Sequence, residues 1–403
     1  MPYLKMYPAG NGDAFLIREN SPKKTAILID GGYASTFQAF ISHDLTDLAQ
    51  HGYSLDLVVA THIDADHISG LLAFFKLNGN SQCPKIIQVG VVWHNSLRSL
   101  APANEADGKM NSDDESLLAE IRRRGYPLPT ETLVEPNEIS ARQGSSLAAL
   151  LLGGGYRWNT GDGTKSINSS ETPFFELRPD VRLSVIGPSV ARLEQLRCRW
   201  IADLRRLGFI GKIGANDALD DAFEFLCAFE NLRAAIKAES IAISSSENHR
   251  LDEAYLADDS VTNGSSIALI IEFGTSQLLF LGDSWSEDIE VGLRAVPNAC
   301  FPMIFDAIKI SHHGSLHNTS PELLELIDSP VFLISSNGEH HKHPDLEVLK
   351  AIVDRPSAFQ RHLYFNYSTP ASDYMRHYTA KSGVGFTIYE GATDWIEIGV
   401  RRQ

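Results

Sequence analysis

Four side chains of metal-binding type stand close together in the stretch THIDADHISG at 61–70: His62, Asp64, Asp66 and His67. The stretch directly follows the apolar run LDLVVA at 55–60. Two carboxylates this close repel each other unless a positive charge lies between them. Imidazole and carboxylate are ligands for ions such as Zn²⁺ and Mn²⁺. We therefore interpret the stretch as a metal-binding segment. The alternative is a polar turn, in which Asp is common.

Polar residues follow other apolar runs in the same way. Asp283 comes after LLFLG, His312 and His313 come after IKIS, and the segment NGEHHKHP, which contains His343, comes after VFLISS. Strand ends in a layered fold lie together along one edge of a sheet, where a rigid scaffold can hold functional groups. We therefore expect these distant side chains to converge near 62–67.

Short apolar strands must position these residues. Apolar runs bounded by turn residues predict strands at 14–17, 25–29, 55–60, 85–93, 266–273, 277–283, 307–311 and 331–336. Helical patterns cover Ser35–Gln50 and begin again at Ser69–Leu77. The segments 384–391 and 395–400 are predicted to form a final hairpin.

The middle of the chain has a different pattern. Asn95–Asp114 and Tyr156–Thr172 are rich in Gly, Asn, Ser and Asp, which predicts loops. Apolar residues spaced three and four apart predict helices at Pro188–Gly208 and Asn216–Ala238. Because strand patterns resume after this region, we predict one domain over 1–403 with a mainly helical and loop insertion at 95–260.

Composition restricts the class of protein. The net charge is −16, which argues against a broad nucleic-acid-binding face because such a face needs clustered Lys and Arg. No apolar run approaches the roughly 18 residues of a membrane span. The N-terminus has no secretory pattern, and the four cysteines form no CxxC. A reduced cytoplasmic location without membrane contact is expected.

Several motifs together resemble the metallo-β-lactamase fold superfamily. They are HxDxDH at 62–67, GD at 282–283 and KISHHGS at 309–315. Three further motifs are similar to the hydrolase domain of the bacterial DNA-uptake (competence) channel protein and to phosphorylcholine esterases: GNGDAFLI near the start, AILIDGG at 26–32 and LISSNGEHHKHP at 333–344. The resemblance covers about 1–95 and 262–345 and leaves out the middle of the chain.

The resemblance implies an α/β fold, the αββα sandwich, and a set of roles. His62 and Asp64 would bind one divalent ion, Asp66 and His67 a second, and Asp283 would bridge both. One of the pair His312–His313 would complete a metal shell. We favour His313 as the ligand with His312 facing the substrate, but the sequence does not separate them. A supporting hydrogen bond to a ligand is the alternative role for the other histidine.

The motif also departs from the common pattern of the superfamily. Most members have a histidine where Asp64 stands, and another near the position of Asn263. The proteins with the Asp-substituted motif share this change. A set richer in carboxylate suits Mn²⁺ as well as Zn²⁺. The cofactor prediction is therefore two divalent ions, Zn²⁺ or Mn²⁺.

The predicted site suits an anionic ester. Two divalent ions and three carboxylates leave about one net positive charge, and such ions can hold a bridging hydroxide. His343 could donate a hydrogen bond to a phosphoryl oxygen or protonate a leaving group, and we predict catalytic roles for Asp66, His312 and His343. The function predicted is a phosphodiesterase or nuclease. Its substrate would be a nucleic acid, a nucleotide or a phosphorylated small molecule. His340 and His341 are equally well explained as surface groups.

Two other functions fit the same sequence. The protein could hydrolyse a non-phosphate ester or lactone, or it could be a partner-gated or sensing subunit of a multi-protein system such as phage defence. The region 95–260 is the candidate for selecting substrate or binding a protein partner. Within it, the arginine-rich runs at 121–125 and 192–206 are either contacts for an anionic chain or solvated helix faces.

Overall fold

The computed structural model describes residues 1–20, 24–101, 110–125, 145–214, 216–228, 250–339 and 342–399. The predictions for His340 and His341, and for the second half of the helix expected at 216–238, lie outside the described residues. Among the described helices, none combines the length and apolar composition that crossing a membrane requires.

The strands alternate with helices along most of the chain. The strands are β1 Pro2–Met6, β2 Phe15–Glu19, β3 Thr25–Ile29, β4 Leu55–Val59, β5 Val89–Trp93, β6 Phe174–Arg178, β7 Val181–Gly187, β8 Ala268–Phe273, β9 Ser276–Phe280, β10 Met303–Ile304, β11 Ala307–Lys309, β12 Ile327–Asp328, β13 Val331–Ile334, β14 Arg361–Phe365, β15 Phe386–Tyr389 and β16 Ile396–Glu397. The helices are α1 Ala34–Thr36, α2 Ser42–Gln50, α3 Ala65–Asn78, α4 Leu97–Leu100, α5 Ser112–Arg124, α6 Leu147–Gly153, α7 Val190–Arg206, α8 Asp217–Ala228, α9 Leu251–Ala254, α10 Val261–Gly264, α11 Ser286–Arg294, α12 Pro321–Leu326, α13 Leu346–Asp354 and α14 Pro370–Arg376. A π-helical turn at Phe37–Ile41 joins α1 to α2, and a 3₁₀ turn covers Ser311–Gly314.

Two sheets face each other across an apolar core. The smaller has the order β16-β1-β2-β3-β4-β5 and the larger β15-β14-β13-β11-β9-β8-β7-β6. Alternate residues of both meet in one buried cluster, such as Leu57 and Val59 of β4 with Leu269 and Ile271 of β8. Successive side chains of a strand point to opposite faces, so the remaining strand residues face outward. Burial of each such side chain contributes about 1.5–3 kcal/mol.

Helices cover the outward faces of both sheets. Phe74 and Phe75 of α3 pack in one cluster with outward residues of the smaller sheet. Ile289 of α11 and Leu349 of α13 pack in another with those of the larger sheet. The layers are therefore helix, sheet, sheet and helix, and the predicted αββα fold is confirmed.

The predicted final hairpin is wrong. β15 pairs in parallel with β14 at the edge of the larger sheet, whereas β16 pairs antiparallel with β1 in the smaller one. The two segments thus contribute one strand to each sheet. The apolar pattern of a segment predicts a strand. Which strand it pairs with depends on which other strands have an unpaired edge beside it.

The region 95–260 contains more strand than predicted. β6 and β7 lie within it, and β7 pairs antiparallel with β8 in the larger sheet. The expected mainly helical and loop structure therefore does not hold at 174–187. β6 is an edge strand whose side chains are mostly half-buried or exposed, so its apolar signal is weak. Helices α5 to α8 share the buried cluster of α3, through residues such as Leu118, Trp200 and Phe223.

Candidate metal centre

The ends of five strands bring the predicted residues to one edge of the sandwich. β3 and β4 are parallel neighbours, so Asp30 and His62 emerge side by side. In the facing sheet β9, β11 and β13 are parallel neighbours too, and the segments after them carry Asp283, His313 and Ser335. Because carboxyl ends of parallel strands meet at one edge, residues far apart in sequence become neighbours.

The start of α3 places the next two ligands. The helix begins at Ala65 with Asp64 as its N-cap residue, four residues earlier than the predicted start at Ser69. Asp66 and His67 therefore lie in the first turn. Gly12 lets the N-terminal loop approach this turn, because a Cβ there would lie 1.9 Å from the carbonyl oxygen of Asp66. Asn11 donates a hydrogen bond of 2.7 Å to Oδ2 of Asp66.

Oδ2 of Asp283 lies at the centre of four imidazoles. Its distances to their Nε2 atoms are 3.5 Å for His67 and His313, 3.8 Å for His312 and 3.9 Å for His62. His62, His67, His313 and Asp283 are buried. All four Nε2 atoms therefore point toward a single carboxylate oxygen in a space that largely excludes water.

The opposite nitrogen of each ring faces an oxygen atom. Nδ1 is 2.9 Å from Oδ2 of Asp30 in His67, 2.7 Å from the carbonyl oxygen of Ser335 in His313, and 2.7 Å from Oδ1 of Asn318 in His312. In His62 it lies 3.0 Å from the hydroxyl of Thr61, which itself donates to Asp30 at 2.7 Å. Each Nδ1 therefore has an oxygen that can accept its proton, so in the neutral ring the lone pair is on Nε2, the atom that faces Asp283.

Neutral rings turned this way repel the carboxylate unless positive charge, from a proton or a metal ion, lies between them. The 3.5–3.9 Å separations are not hydrogen bonds, and Nε2 of His67 is buried without one. Two ligand atoms about 2.0–2.3 Å from one tetrahedral ion lie about 3.3–3.8 Å apart. The donor atoms thus have the spacing of ligands that share an ion, and these residues fit a divalent metal.

Among the described residues, four groups of three side chains bring their ligand atoms together, and two of these groups contain predicted ligands only: His62–His67–Asp283 and Asp66–His67–His313. Within each group the ligand atoms lie within 4.8 Å of one another. Asp64 stands beside the first group, with Oδ2 3.1 Å from Nε2 of His62. The structure thus brings together the six predicted ligands, His62, Asp64, Asp66, His67, Asp283 and His313.

The histidine pair has a strained backbone. His312 and His313 have φ of 43° and 57°, in the left-handed region that bulky residues rarely adopt. Hydrogen bonds hold the turn in place: the N–H of His312 donates to the carbonyl of Gly282, and the hydroxyl of Ser311 to that of Ser284. This turn is what allows two adjacent residues to direct both rings at Asp283, and strain of this kind accumulates at functional sites.

His343 lies at the border of the cluster. Its ring centroid is 5.3 Å from that of His312, and its Nδ1 lies 3.1 Å from Oδ2 of Asp345. The predicted catalytic residues Asp66, His312 and His343 are thus within one local region, although they come from three separate segments.

Two charged residues of the site, Asp13 and Lys309, were not among the predicted ones. Asp13 forms a buried ion pair with Lys309, whose Nζ also lies 3.5 Å from Oδ1 of Asp283 and donates to the carbonyl of Gly282. Asp30 holds Thr61 and His67. The signals of Asp13 and Lys309 in the sequence were an acidic residue beside glycine in GNGD and a lysine inside the apolar run AIKIS.

The buried charged groups of the cluster shift one another's pKa values. Burial alone would raise the pKa of Asp283, but the nearby His313 and His67 hold it well below its ordinary range. Burial alone would lower the pKa of His313, yet Asp283 and Asp13 raise it to about 9. Burial alone would raise the pKa of Asp13, but Lys309, His313 and His67 together lower it to about 2. Positive charge is therefore strongly favoured around these carboxylates.

Asp283 does not act as a helix cap. Helix α11 begins at Ser286, and its N-cap residue is Trp285, which makes no side-chain cap hydrogen bond. The carboxylate of Asp283 instead faces Lys309 with one oxygen and the imidazoles with the other.

Comparison with known proteins finds a family match for part of the chain. Residues 7–138 match the family model described as Metallo-beta-lactamase superfamily. The curated proteins gave no match. Among solved structures, the chain is similar to a mutant of the CmlA beta-hydroxylase, at 12% identity and a TM-score of 0.34. The match covers 98% of this chain and 53% of that one, so this chain spans about half of its length.

The match at 7–138 includes Asp13, Asp30 and the whole of the HxDxDH motif. The finer resemblance to the DNA-uptake hydrolase domain and to phosphorylcholine esterases stays a prediction. The chain thus contains a metallo-β-lactamase superfamily domain, whose HxDxDH motif lies at one edge of the sandwich.

Proposed function

We propose that this protein is a metal-dependent hydrolase that cleaves phosphate esters, of the phosphodiesterase or nuclease type. The observation that carries the proposal is the convergence of four Nε2 atoms on Oδ2 of Asp283. His62 and Asp64 would hold one divalent ion, Asp66, His67 and His313 would hold the other, and Asp283 would be shared by both. Zn²⁺ and Mn²⁺ both suit this mixture of nitrogen and oxygen donors.

Ions bound there would activate a water molecule and attract the charged oxygens of a phosphate group. The protein's own contribution is rigidity. Asp30 and Thr61 fix the rings of His62 and His67, and Asn11 fixes the carboxylate of Asp66. Tyr33 in turn donates to Asn11 at 2.9 Å. Side chains locked in this way need little rearrangement when the charged substrate arrives, which lowers the barrier to reaction.

His343 is the candidate proton donor for the leaving group. Its Nδ1 donates to Asp345, which also accepts from the backbone N–H of Leu316 at 2.8 Å. When both ring nitrogens carry a proton, Nδ1 donates to Asp345 and Nε2 can give its proton to an alkoxide. The Asp345–His343 pair would therefore supply the proton for the leaving group, while the bound metal ions would supply positive charge.

The arginine-rich helices favour a short or small substrate. Arg197 of α7 pairs with Glu194, and Arg199 and Arg206 pair with Asp203. In α5, Arg123 and Arg124 both pair with Glu120. Charge balanced within each helix contributes little to attracting a long anionic chain. We therefore place a nucleotide or another phosphorylated small molecule ahead of long duplex DNA.

A substrate panel tests the function. Protein stripped of metal is reloaded with Zn²⁺ or Mn²⁺ and assayed on bis-p-nitrophenyl phosphate, cyclic and linear dinucleotides, single-stranded DNA, a lactone and a carboxylic ester. We expect phosphodiester cleavage that needs added metal and is lost in Asp283→Ala. If only the lactone or the carboxylic ester is cleaved, the substrate is of that class and not a phosphate ester. No cleavage by fully loaded protein would contradict the proposal.

A further inference from the structure

Asn318 lies behind His312, on the side away from the metal ligands. It is fully buried. Its amide nitrogen donates to Oδ2 of Asp258 at 2.8 Å and to the backbone carbonyl of Asp283 at 3.1 Å. Its amide oxygen lies 2.7 Å from Nδ1 of His312. One side chain thus connects the acidic residue Asp258, the proposed bridging residue and the second histidine of the site.

These contacts determine which way the amide faces. The carboxylate of Asp258 and the carbonyl of Asp283 can only accept hydrogen bonds, so the NH₂ group of Asn318 must face them. Its oxygen must then face His312, whose Nδ1 has to donate. The resulting tautomer has its lone pair on Nε2, and that atom lies 3.8 Å from Oδ2 of Asp283.

Asp258 is held in place by its own set of donors. Its Oδ2 also accepts from the amide nitrogen of Asn263 at 2.7 Å, and its Oδ1 accepts from the backbone N–H of Ser260 at 3.0 Å. Its backbone N–H donates to the carbonyl of His317 at 3.1 Å. The carboxylate is therefore fixed by neighbours before it orients Asn318.

We infer that Asp258 and Asn318 form a positioning pair that presents Nε2 of His312 as a metal-binding nitrogen. Both adjacent histidines, His312 and His313, then bind metal. The nitrogen donor from His312 is the one whose ring is held by Asn318 and Asp258. The inference rests on the metal site of the proposed function but not on the substrate. It assigns Asn263 a supporting part, since its side chain holds Asp258 instead of binding the ion.

The test is metal affinity, measured by equilibrium dialysis or calorimetry with Mn²⁺ and with Zn²⁺ on the full chain. Asn318→Ala should weaken binding by about 10- to 100-fold, as removal of such supporting partners typically does. The matched control is Asn78→Ala. Asn78 is also a fully buried asparagine with several hydrogen bonds, but its partners are Ile86, Ile87 and Tyr156, outside the site. It should leave the metal affinity unchanged.

A double-mutant cycle shows whether Asn318 acts through His312. In a His312→Ala background, adding Asn318→Ala should cause no further loss of metal affinity. A further loss of the same size would overturn the inference, because Asn318 would then act through Asp283 or through general stability. Wild-type affinity in Asn318→Ala, or equal loss in Asn78→Ala, would overturn it as well.

Asp258→Asn provides a second variant should Asn318→Ala fail to fold. It keeps the shape of the carboxylate but replaces one acceptor oxygen by a donor, so an intermediate loss of affinity is expected, and no loss would contradict the positioning pair.

Failure of the proposed function has a separate signature. Protein that binds metal with the predicted mutational pattern yet cleaves no phosphate ester would refute the function and retain this inference.

Discussion

Nδ1 of His67 lies 2.9 Å from Oδ2 of Asp30, and the same carboxylate oxygen accepts the hydroxyl of Thr61 at 2.7 Å. The other oxygen of Asp30 accepts the backbone N–H of Thr61 at 2.8 Å. Since Thr61 contacts the ring of His62, one buried carboxylate orients two of the proposed ligands. A carboxylate bound to a ligand histidine fixes its ring and strengthens its basicity.

Asp30→Asn should therefore weaken metal binding by about 10- to 100-fold. The amide offers one acceptor oxygen where the native side chain uses two, so one of the three donors loses its partner. The backbone is not the cause, because Asp30 has φ of 55° and Asn tolerates that region. Metal titration with circular dichroism as a check on folding measures the effect. Unchanged affinity would show that Asp30 only stabilises the strand end.

Asp283→Ala should abolish metal binding and turnover while the fold persists, because its Oδ2 is the atom on which the ligands converge. Asp288→Ala is the matched control. Asp288 lies in the first turn of α11 and pairs with Arg192 at 2.6 Å, so its loss should affect only stability. Metal content by mass spectrometry and the melting temperature separate the two. Full metal content in Asp283→Ala would refute the proposed site.

Lys309→Met should destabilise the protein by about 3–5 kcal/mol, the usual cost of leaving a buried partner charge unpaired. Lys309 and Asp13 are both almost fully buried, at 1% exposure each. Adding Asp13→Asn to Lys309→Met removes the orphaned charge and should restore part of the free energy of unfolding, as measured in urea. A double variant no more stable than the single one would show that Lys309 acts mainly through Asp283.

His343→Gln should lower turnover by about 10²- to 10⁴-fold, the range of general acid catalysis, while metal content stays unchanged. The amide can still donate a hydrogen bond but cannot supply a proton. His51→Gln, at an exposed histidine in the turn after α2, is the control and should be neutral. Loss of bound metal in His343→Gln would indicate that His343 is a ligand instead.

Asp220→Asn tests a pH effect away from the metal centre. Burial raises the pKa of Asp220 to about 7, against the opposing charge of Arg98. The folded protein thus holds a proton that the unfolded chain releases near pH 4, so the free energy of unfolding falls as pH rises from about 4 to about 7. Asp220→Asn should flatten this slope, whereas Asp217→Asn, at an exposed neighbour that also contacts Arg98, should not. An unchanged slope in Asp220→Asn would contradict the shift.

Much of the site could be predicted because its chemistry is local in the sequence. The HxDxDH motif places His62 and Asp64 at the end of β4, and Asp66 and His67 in the first turn of α3, so four ligands come from one strand–helix junction. Apolar runs bounded by turn residues identified most strands, since each strand must bury at least one face. Those patterns depend on nearest neighbours along the chain.

Contacts between residues far apart in the sequence were decided by the tertiary structure. Asp13 and Lys309 are 296 positions apart, and only the apposition of the two sheets makes them a buried ion pair. Tertiary packing also places β15 in the larger sheet and β16 in the smaller one. It likewise supplies the oxygen atoms that accept from Nδ1 and so orient each imidazole. Residue types and short spacings determined which groups could bind a metal. Which nitrogen faces it, and which carboxylate stands behind it, depended on the packing of strands far apart in the sequence, because hydrogen bonds act over about 3 Å.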